Sequence, residues 1–269
     1  MEKKFKLGVI GAGFMASAIV KGAISSKIVS SSQVIMSDVN DLALQKAREN
    51  YGVSTTSDNS VVFAESEYVL LAVKPQSLSA VFDSLPAKYA SKIISIMAGV
   101  KKQKIKAGLG DVKVARCMPN TPCSLGCGAI GVDLTDYSDK TDRDFIVSLL
   151  SALAVIVEVP EEKLNAVTGV SGSSPAYFYL FLKGIIDAGI KHGLSEEEAK
   201  TLAVNTMIGS GKMVLCNPDK KLDDLITAVC SKGGTTIQAV NVYNDEGLNK
   251  ITEKAVDACV KRSFELENL

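Results

Sequence analysis

The sequence predicts an α/β protein in two parts: a mostly parallel, doubly wound sheet domain over residues 1–160 and an all-α domain over residues 161–269. Three observations carry this reading. Short apolar β-rich runs alternate with helix-like stretches as far as Val159. No such run follows Pro160, and helical patterns take over. The first strand also enters the first helix through a glycine-rich turn, Gly11-Ala12-Gly13. With 46% apolar residues, the 269-residue chain has enough core-forming material to need no disulfide or structural metal.

Strands are expected at Phe5–Ile10, Gln33–Ser37, Tyr68–Val73, Lys92–Ile96, Val112–Cys117, Gly126–Val132 and Val155–Val159. The run Val69-Leu70-Leu71-Ala72-Val73 is apolar throughout, as suits a strand covered on both faces. Helices are expected at Met15–Ser25, Leu42–Tyr51, Leu78–Leu85, Lys101–Leu109 and Lys140–Leu153. Strands joined through such helices form parallel βαβ units.

Past Pro160, Ser174-Pro175 reads as a cap followed by Pro at the first helical position. The segment Ala176–Gly189 is apolar on nearly every face, with Tyr177, Phe178, Leu180, Phe181, Leu182, Ile185 and Ile186. A helix apolar all round is wrapped on all sides, and so short a domain can hardly surround it alone. The helical part is therefore expected to be a dimerisation domain. Ser195 and Glu198 form a capping box for a helix running to about Leu215, stopped at Asn217-Pro218. A last helix is expected from about Leu248 to Leu266.

Gly11-Ala12-Gly13-Phe14-Met15-Ala16 has the form G-x-G-x-x-A at the strand-to-helix turn where a dinucleotide fingerprint belongs. The first glycine allows the tight turn and the second lets a pyrophosphate approach the backbone. The small third residue packs helix on strand. Phosphates would then rest on free N–H groups at a helix N-terminus. The first part is thus expected to be Rossmann-type. The alternative is a glycine-rich turn with no ligand. Asp38, after Ser37 at the end of the second strand, stands where an acidic residue bonds the ribose of NAD and repels the extra phosphate of NADP. It leans the reading toward NADH; the alternative is a simple N-cap. Two further stretches look chemical. In Met118-Pro119-Asn120-Thr121-Pro122 two prolines fix a turn and aim Asn120 and Thr121, although a purely structural turn fits as well. Ser231-Lys232-Gly233-Gly234-Thr235-Thr236 leads into a helical pattern from about Ile237 and offers bare N–H groups and hydroxyls, a natural carboxylate site or else a capping loop.

Composition excludes several classes. Lys plus Arg and Asp plus Glu are 30 each, so there is no basic footprint for nucleic acid or an anionic membrane. There is no Trp for base stacking. No apolar run approaches the roughly 20 residues that span a bilayer, and no signal-peptide pattern appears, so a cytoplasmic protein is expected. The six Cys match no zinc spacing and read as reduced, buried thiols. His192 is the one histidine and reads as a helix C-terminal residue, so no multi-histidine metal site is possible and none is expected.

Five motifs occur in order: Gly11 to Ala16, Ala72-Val73-Lys74-Pro75, Met118 to Pro122, Gly169-Val170-Ser171-Gly172-Ser173-Ser174-Pro175-Ala176-Tyr177, and Gly233-Gly234-Thr235-Thr236. Together, over the whole chain, they resemble the pyrroline-5-carboxylate reductase family. The resemblance implies reduction of L-1-pyrroline-5-carboxylate to L-proline with NADPH or NADH, the last step of proline synthesis. It also implies helical domains that interlock as dimers, often assembled into larger rings. It places Asn59, Ala72 to Pro75 and Ile96, Met97 and Ala98 along the cofactor. Ser231, Gly234 and Thr235, with Gly233 in the same loop, would hold the substrate carboxylate, and Thr236 would set its hydroxyl on the ring nitrogen. Lys232 departs from a common Pro, Asp38 from a small or hydroxyl residue, and Thr227 from a common acidic residue. The competing readings are another imine or β-hydroxyacid dehydrogenase and a non-catalytic dinucleotide-binding scaffold.

Overall fold

The structure is a computed structural model that describes residues 3–85 and 91–267. The chain forms two compact units. One comprises residues up to Pro175 together with those from Cys259 on; the other is Ala176–Ala258.

The first unit opens with β1 (Phe5–Ile10), α1 (Phe14–Ser25), β2 (Val34–Ser37), α2 (Asp41–Tyr51), β3 (Ser54–Thr56), α3 (Asn59–Glu65) and β4 (Ser66–Leu71). It continues through α4 (Leu78–Asp83), β5 (Lys92–Ser95), α5 (Lys102–Leu109), β6 (Val114–Met118), β7 (Gly128–Asp133), α6 (Lys140–Ser151), β8 (Ala154–Glu158) and α7 (Leu164–Val167). The eight strands form one sheet in the order β3-β2-β1-β4-β5-β6-β7-β8. All neighbours pair in parallel except β6 and β7, where Cys117 faces Val132 across an antiparallel ladder. A mostly parallel sheet was expected, and this is one.

Alternation along the strands explains the two layers of helices. In β4, Tyr68 and Leu70 join an apolar cluster with Ile19 of α1, Leu44 of α2 and Leu149 of α6. Val69 and Leu71 join another with Phe63 of α3, Val81 of α4 and Ile105 of α5. Both faces of the strand are therefore dry, as its unbroken apolar run implied.

The structure departs from the sequence reading in several places, the short α7 among them. β3 and α3 were not anticipated: Ser54-Thr55-Thr56 has no apolar alternation, and Asn59–Glu65 is a helix of seven residues. The cap of α2 is Asn40, whose Oδ1 accepts from the N–H groups of Leu42 and Ala43; Asp38 is not the cap. α10, defined below, was also not anticipated. Of the six thiols, Cys117 and Cys123 are buried, whereas Cys127 and Cys216 are exposed, so burial does not hold for all. All six are free.

A π-helical turn, Thr168–Gly172, leads into α8 (Ser174–Lys191), followed by α9 (Glu196–Leu215), α10 (Leu222–Val229), α11 (Thr235–Asp245) and α12 (Leu248–Glu267). The capping box at α9 is present, with Ser195 N–H donating to Glu198 Oε2 at 2.8 Å and Glu198 N–H to Ser195 Oγ at 3.2 Å. Within the second unit Ala199 and Ala203 are the only buried apolar residues among those described. Phe178, Tyr179 and Leu180 of α8 are 55%, 62% and 73% exposed. Such a unit, taken by itself, has almost no core.

Candidate functional site

The parallel strands β2, β1, β4, β5 and β6 lie side by side, and chain order reverses direction between β1 and β4. Ligands of open α/β sheets bind outside the carboxyl ends of the strands at such a switch point. The expected cofactor residues, Asn59 apart, lie at these strand ends. Gly11, Gly13, Phe14, Met15 and Ala16 follow β1, and Ser37 and Asp38 end β2. Ala72 to Pro75 follow β4, Ile96 to Ala98 follow β5, and Asn120 follows β6.

The glycine loop has the form its sequence predicts. Gly11 adopts φ +99°, and a Cβ there would lie 2.9 Å from the Ala72 carbonyl oxygen, so no other residue fits this turn without strain. Its N–H donates to Ser37 O at 2.7 Å. Gly13 is the N-cap of α1 and has no side chain to bond the first-turn N–H groups. A Cβ on Gly13 would meet nothing within 4 Å, which leaves open space above those donors. Ala16 is buried against the sheet. These features fit a dinucleotide pyrophosphate. A cleft of about 480 Å³ runs beside the loop, lined in part by Gly13, Phe14, Asn40, Lys46 and Tyr51.

Asp38 is fixed by two backbone donors. Ala12 N–H donates to Oδ2 at 2.6 Å and Asn40 N–H to Oδ1 at 2.9 Å. The carboxylate is thereby tied to the glycine loop itself. Ser37, fully buried, donates to Asn59 Oδ1 at 2.7 Å, and Asn59 Nδ2 donates to Ser84 Oγ at 3.1 Å, linking the ends of β2, α3 and α4. Asn59 thus sits at the β2 end.

Two expected residues are spent elsewhere. The side chain of Met97 is buried in the core with Val100 and Ile105, and its N–H donates to Ser95 Oγ at 3.4 Å. Asn120 accepts from Ala129 N–H at 3.1 Å and donates to Ser171 O at 3.3 Å, so it ties the β6 end to β7 and to the π-helical turn. Sequence reading also missed Lys46 and Tyr51 beside the loop. Their spacing on α2 gives only a surface-helix pattern.

In the second unit, Ser231–Gly234 forms a turn closed by Gly234 N–H to Ser231 O at 3.0 Å. Gly234 is the N-cap of α11, without a side-chain cap, so the N–H groups of Thr235 and Thr236 begin the helix unclaimed by any cap. A Cβ on Gly234 would fall 2.2 Å from Ser231 Oγ, which places that hydroxyl over the helix start. Thr235 and Thr236 are exposed. Hydroxyls, bare N–H groups and the positive end of a helix dipole together suit a small carboxylate. His192 stands just past α8, as expected, and no group of metal-ligating side chains occurs among the described residues.

Fold and loops define a Rossmann-type, nicotinamide-dependent oxidoreductase with a helical second part. Comparison with known proteins agrees. A family model described as "NADP oxidoreductase coenzyme F420-dependent" matches residues 6–99, and one described as "Pyrroline-5-carboxylate reductase dimerisation" matches residues 161–266. Pyrroline-5-carboxylate reductase of Haemophilus influenzae is 38% identical over 267 residues, covering 98% of both chains. The Plasmodium falciparum pyrroline carboxylate reductase with NADP bound superposes with a TM-score of 0.87 at 27% identity, covering 99% of this chain and 100% of that one. The Coxiella burnetii pyrroline-5-carboxylate reductase gives 0.86 at 31% identity, covering 98% and 99%. The chain belongs to the pyrroline-5-carboxylate reductase family.

Proposed function

We propose that the protein reduces L-1-pyrroline-5-carboxylate to L-proline with NADPH or NADH in the cytoplasm. The observation that carries this reading is the presence, in one chain of this family, of both an uncapped glycine loop at the sheet's switch point and an uncapped, hydroxyl-rich helix start. On this reading residues 1–160 hold the dinucleotide and residues 161–269 hold the carboxylate and self-associate. No membrane-spanning helix occurs among the described residues.

The cofactor, when bound, supplies a hydride. What remains for the protein is binding and orientation. The N–H groups at the start of α1 neutralise the pyrophosphate, and Ala72 to Pro75 and Ile96 to Ala98 flank the nicotinamide end. The free N–H of Thr235 and the Ser231 hydroxyl, set by the turn that the Gly234 N–H closes, hold the substrate carboxylate. Thr236 sets its hydroxyl against the ring nitrogen. The protonated substrate is a cyclic iminium, so C5 accepts a hydride directly and the C=N electron pair neutralises the nitrogen. No covalent intermediate and no acid–base histidine are needed. Orientation of this kind lowers a barrier by roughly 7–11 kcal/mol. Thr236→Ala is expected to lower kcat/KM about tenfold, about 1.4 kcal/mol, while NAD(P)H binding is unchanged. Steady-state assay beside fluorescence titration of the cofactor checks this; unchanged turnover removes Thr236 from its role.

The preference assigned is NADH. Asp38, held by Ala12 and Asn40 at the end of β2, supports this preference, because an acidic residue at that place in the fold repels the 2′-phosphate of NADPH. The other dehydrogenase and scaffold readings are not favoured, because full-length relatives at 38% and 36% identity carry the reductase name. Pyrroline-5-carboxylate-dependent oxidation of NAD(P)H, run beside the keto forms of β-hydroxyacids, separates the three.

A further inference from the structure

The last turn of α12 belongs to the sheet unit, more than a hundred residues along the chain from the strands it meets. It comes to rest on the loop that follows β5. Gly99 in that loop has φ +68°, and a Cβ there would lie 2.8 Å from Leu266 Cβ and 3.2 Å from the Leu266 carbonyl carbon. Helix and loop therefore meet nearly backbone to backbone. Glu267, next in the chain, has a side chain only 3% exposed and holds two cations. Its Oε1 is 3.1 Å from Arg116 Nη2 and its Oε2 is 3.2 Å from Lys101 Nζ. Arg116, on β6 and 4% exposed, reaches Glu161 Oε1 at 3.1 Å through its other terminal nitrogen. The same Glu161 oxygen accepts from Lys102 N–H at 2.8 Å. One turn earlier in α12, buried Ser263 donates to Asn165 Oδ1 at 2.6 Å.

These groups converge on one place. Lys101 and Lys102 are the N-cap and first residue of α5, immediately after Ile96-Met97-Ala98-Gly99-Val100. The loop is held on its β side by Ile96 N–H to Leu71 O at 3.1 Å and by the buried Met97 side chain. Its far end is held by Arg116, Glu161 and Glu267. A staple for the sheet alone would serve equally well at any strand end. This one closes on the loop at the carboxyl end of β5, beside the switch point.

We propose that Glu267, acting through Lys101 and Arg116, is a positioning residue that fixes the Ile96–Gly99 backbone against the nicotinamide end of the cofactor. The proposal rests on the reading that this loop flanks the nicotinamide. It predicts that loss of Glu267 weakens recognition of that end and leaves recognition of the adenosine and pyrophosphate end intact. A carboxylate withdrawn from buried Arg116 and half-exposed Lys101 changes the geometry of the loop and not that of Gly11 to Ala16.

The test uses the full chain with Glu267→Ala, Glu267→Asp, Lys101→Met and Ala98→Glu. NADH affinity is read by fluorescence titration, ADP-ribose affinity by calorimetry, and kcat and KM by steady-state assay. Glu267→Ala is expected to weaken NADH about tenfold and to lower kcat, with ADP-ribose affinity within about twofold of the parent. Glu267→Asp restores most of the loss. Lys101→Met, which removes an arm that is 49% exposed, gives a smaller change in the same direction and keeps the test open if Glu267→Ala does not fold. NADH and ADP-ribose weakening together, or NADH binding unchanged in both Glu267→Ala and Lys101→Met, overturns the proposal. Ala98→Glu separates the two levels of the argument. If it binds NADH as the parent does, the reading of the loop fails. If it loses NADH while Glu267→Ala retains it, the positioning role alone fails.

Discussion

Asp38 carries more of the account than any other single side chain, and it was legible as a carboxylate at the end of the second strand. The sequence left open whether it capped a helix or faced a ribose. The structure answers the first point, because Asn40 caps α2 while Asp38 binds Ala12 N–H and Asn40 N–H. On the proposed reading, the Asp38 charge at the end of β2 disfavours a phosphate on the ribose. Asp38→Ser is expected to raise kcat/KM with NADPH relative to NADH by about tenfold or more, about 1.4 kcal/mol. The ratio of the two kcat/KM values checks this, and a parent enzyme that strongly prefers NADPH contradicts it. Asn120 shows the limit of reading residues singly. Its flanking prolines marked a turn, but the partners of its amide, Ala129 and Ser171, lie nine and fifty-one residues away and leave no local trace.

Elements with a strong period were legible. β1, β4 and β5 are apolar on both faces, and α9 carries a capping box in its letters. β3 and α3 were not, because three polar residues and a seven-residue helix take their shape from the neighbouring β2 and β1 and not from their own pattern. At the opposite end of the strands from the glycine loop, Tyr68 of β4 donates to Asp142 of α6 at 2.5 Å, and Lys92 of β5 pairs with the same oxygen. The Asp142 side chain is 5% exposed. Burial pushes its pKa up, but Lys92 and the Tyr68 hydroxyl more than offset this and hold it below the usual aspartate value of 3.8. A group depressed in the folded state contributes stability above its unfolded value and loses it as pH falls through the folded value. The melting temperature is therefore expected to be level from neutrality to about pH 5 and to fall below about pH 4. Asp142→Asn is expected to cost about 2 kcal/mol at pH 7 and to flatten that acid limb. Chemical denaturation at pH 7 and pH 3.5 reads both effects. Equal losses at the two pH values would remove the ionised carboxylate from the explanation.

At the scale of the whole molecule, the helical half was read as too small to wrap its own apolar helix. The second unit bears this out, with Ala199 and Ala203 as its buried apolar residues among those described and Phe178, Tyr179 and Leu180 open on α8. Self-association accounts for that surface, in line with the dimerisation segment matched over residues 161–266. A charge at Leu180, which is 73% exposed, tests it. Leu180→Asp is expected to shift the protein toward monomer in sedimentation analysis, and an unchanged assembly would place the interface elsewhere. How the second unit gains its core was beyond the sequence, because the pattern of α8 shows that it must be covered but not by which residues.

The central claim, that two small loops orient a cyclic imine for hydride reduction with no acid–base histidine, is tested most directly by isotope transfer. The enzyme is given pyrroline-5-carboxylate with NADH carrying deuterium at both C4 positions, and the proline formed is analysed by mass spectrometry and NMR. One deuterium at C5 of L-proline is the predicted result. Proline without deuterium, or no proline beside deuterium transfer to a β-hydroxyacid's keto form, would contradict it.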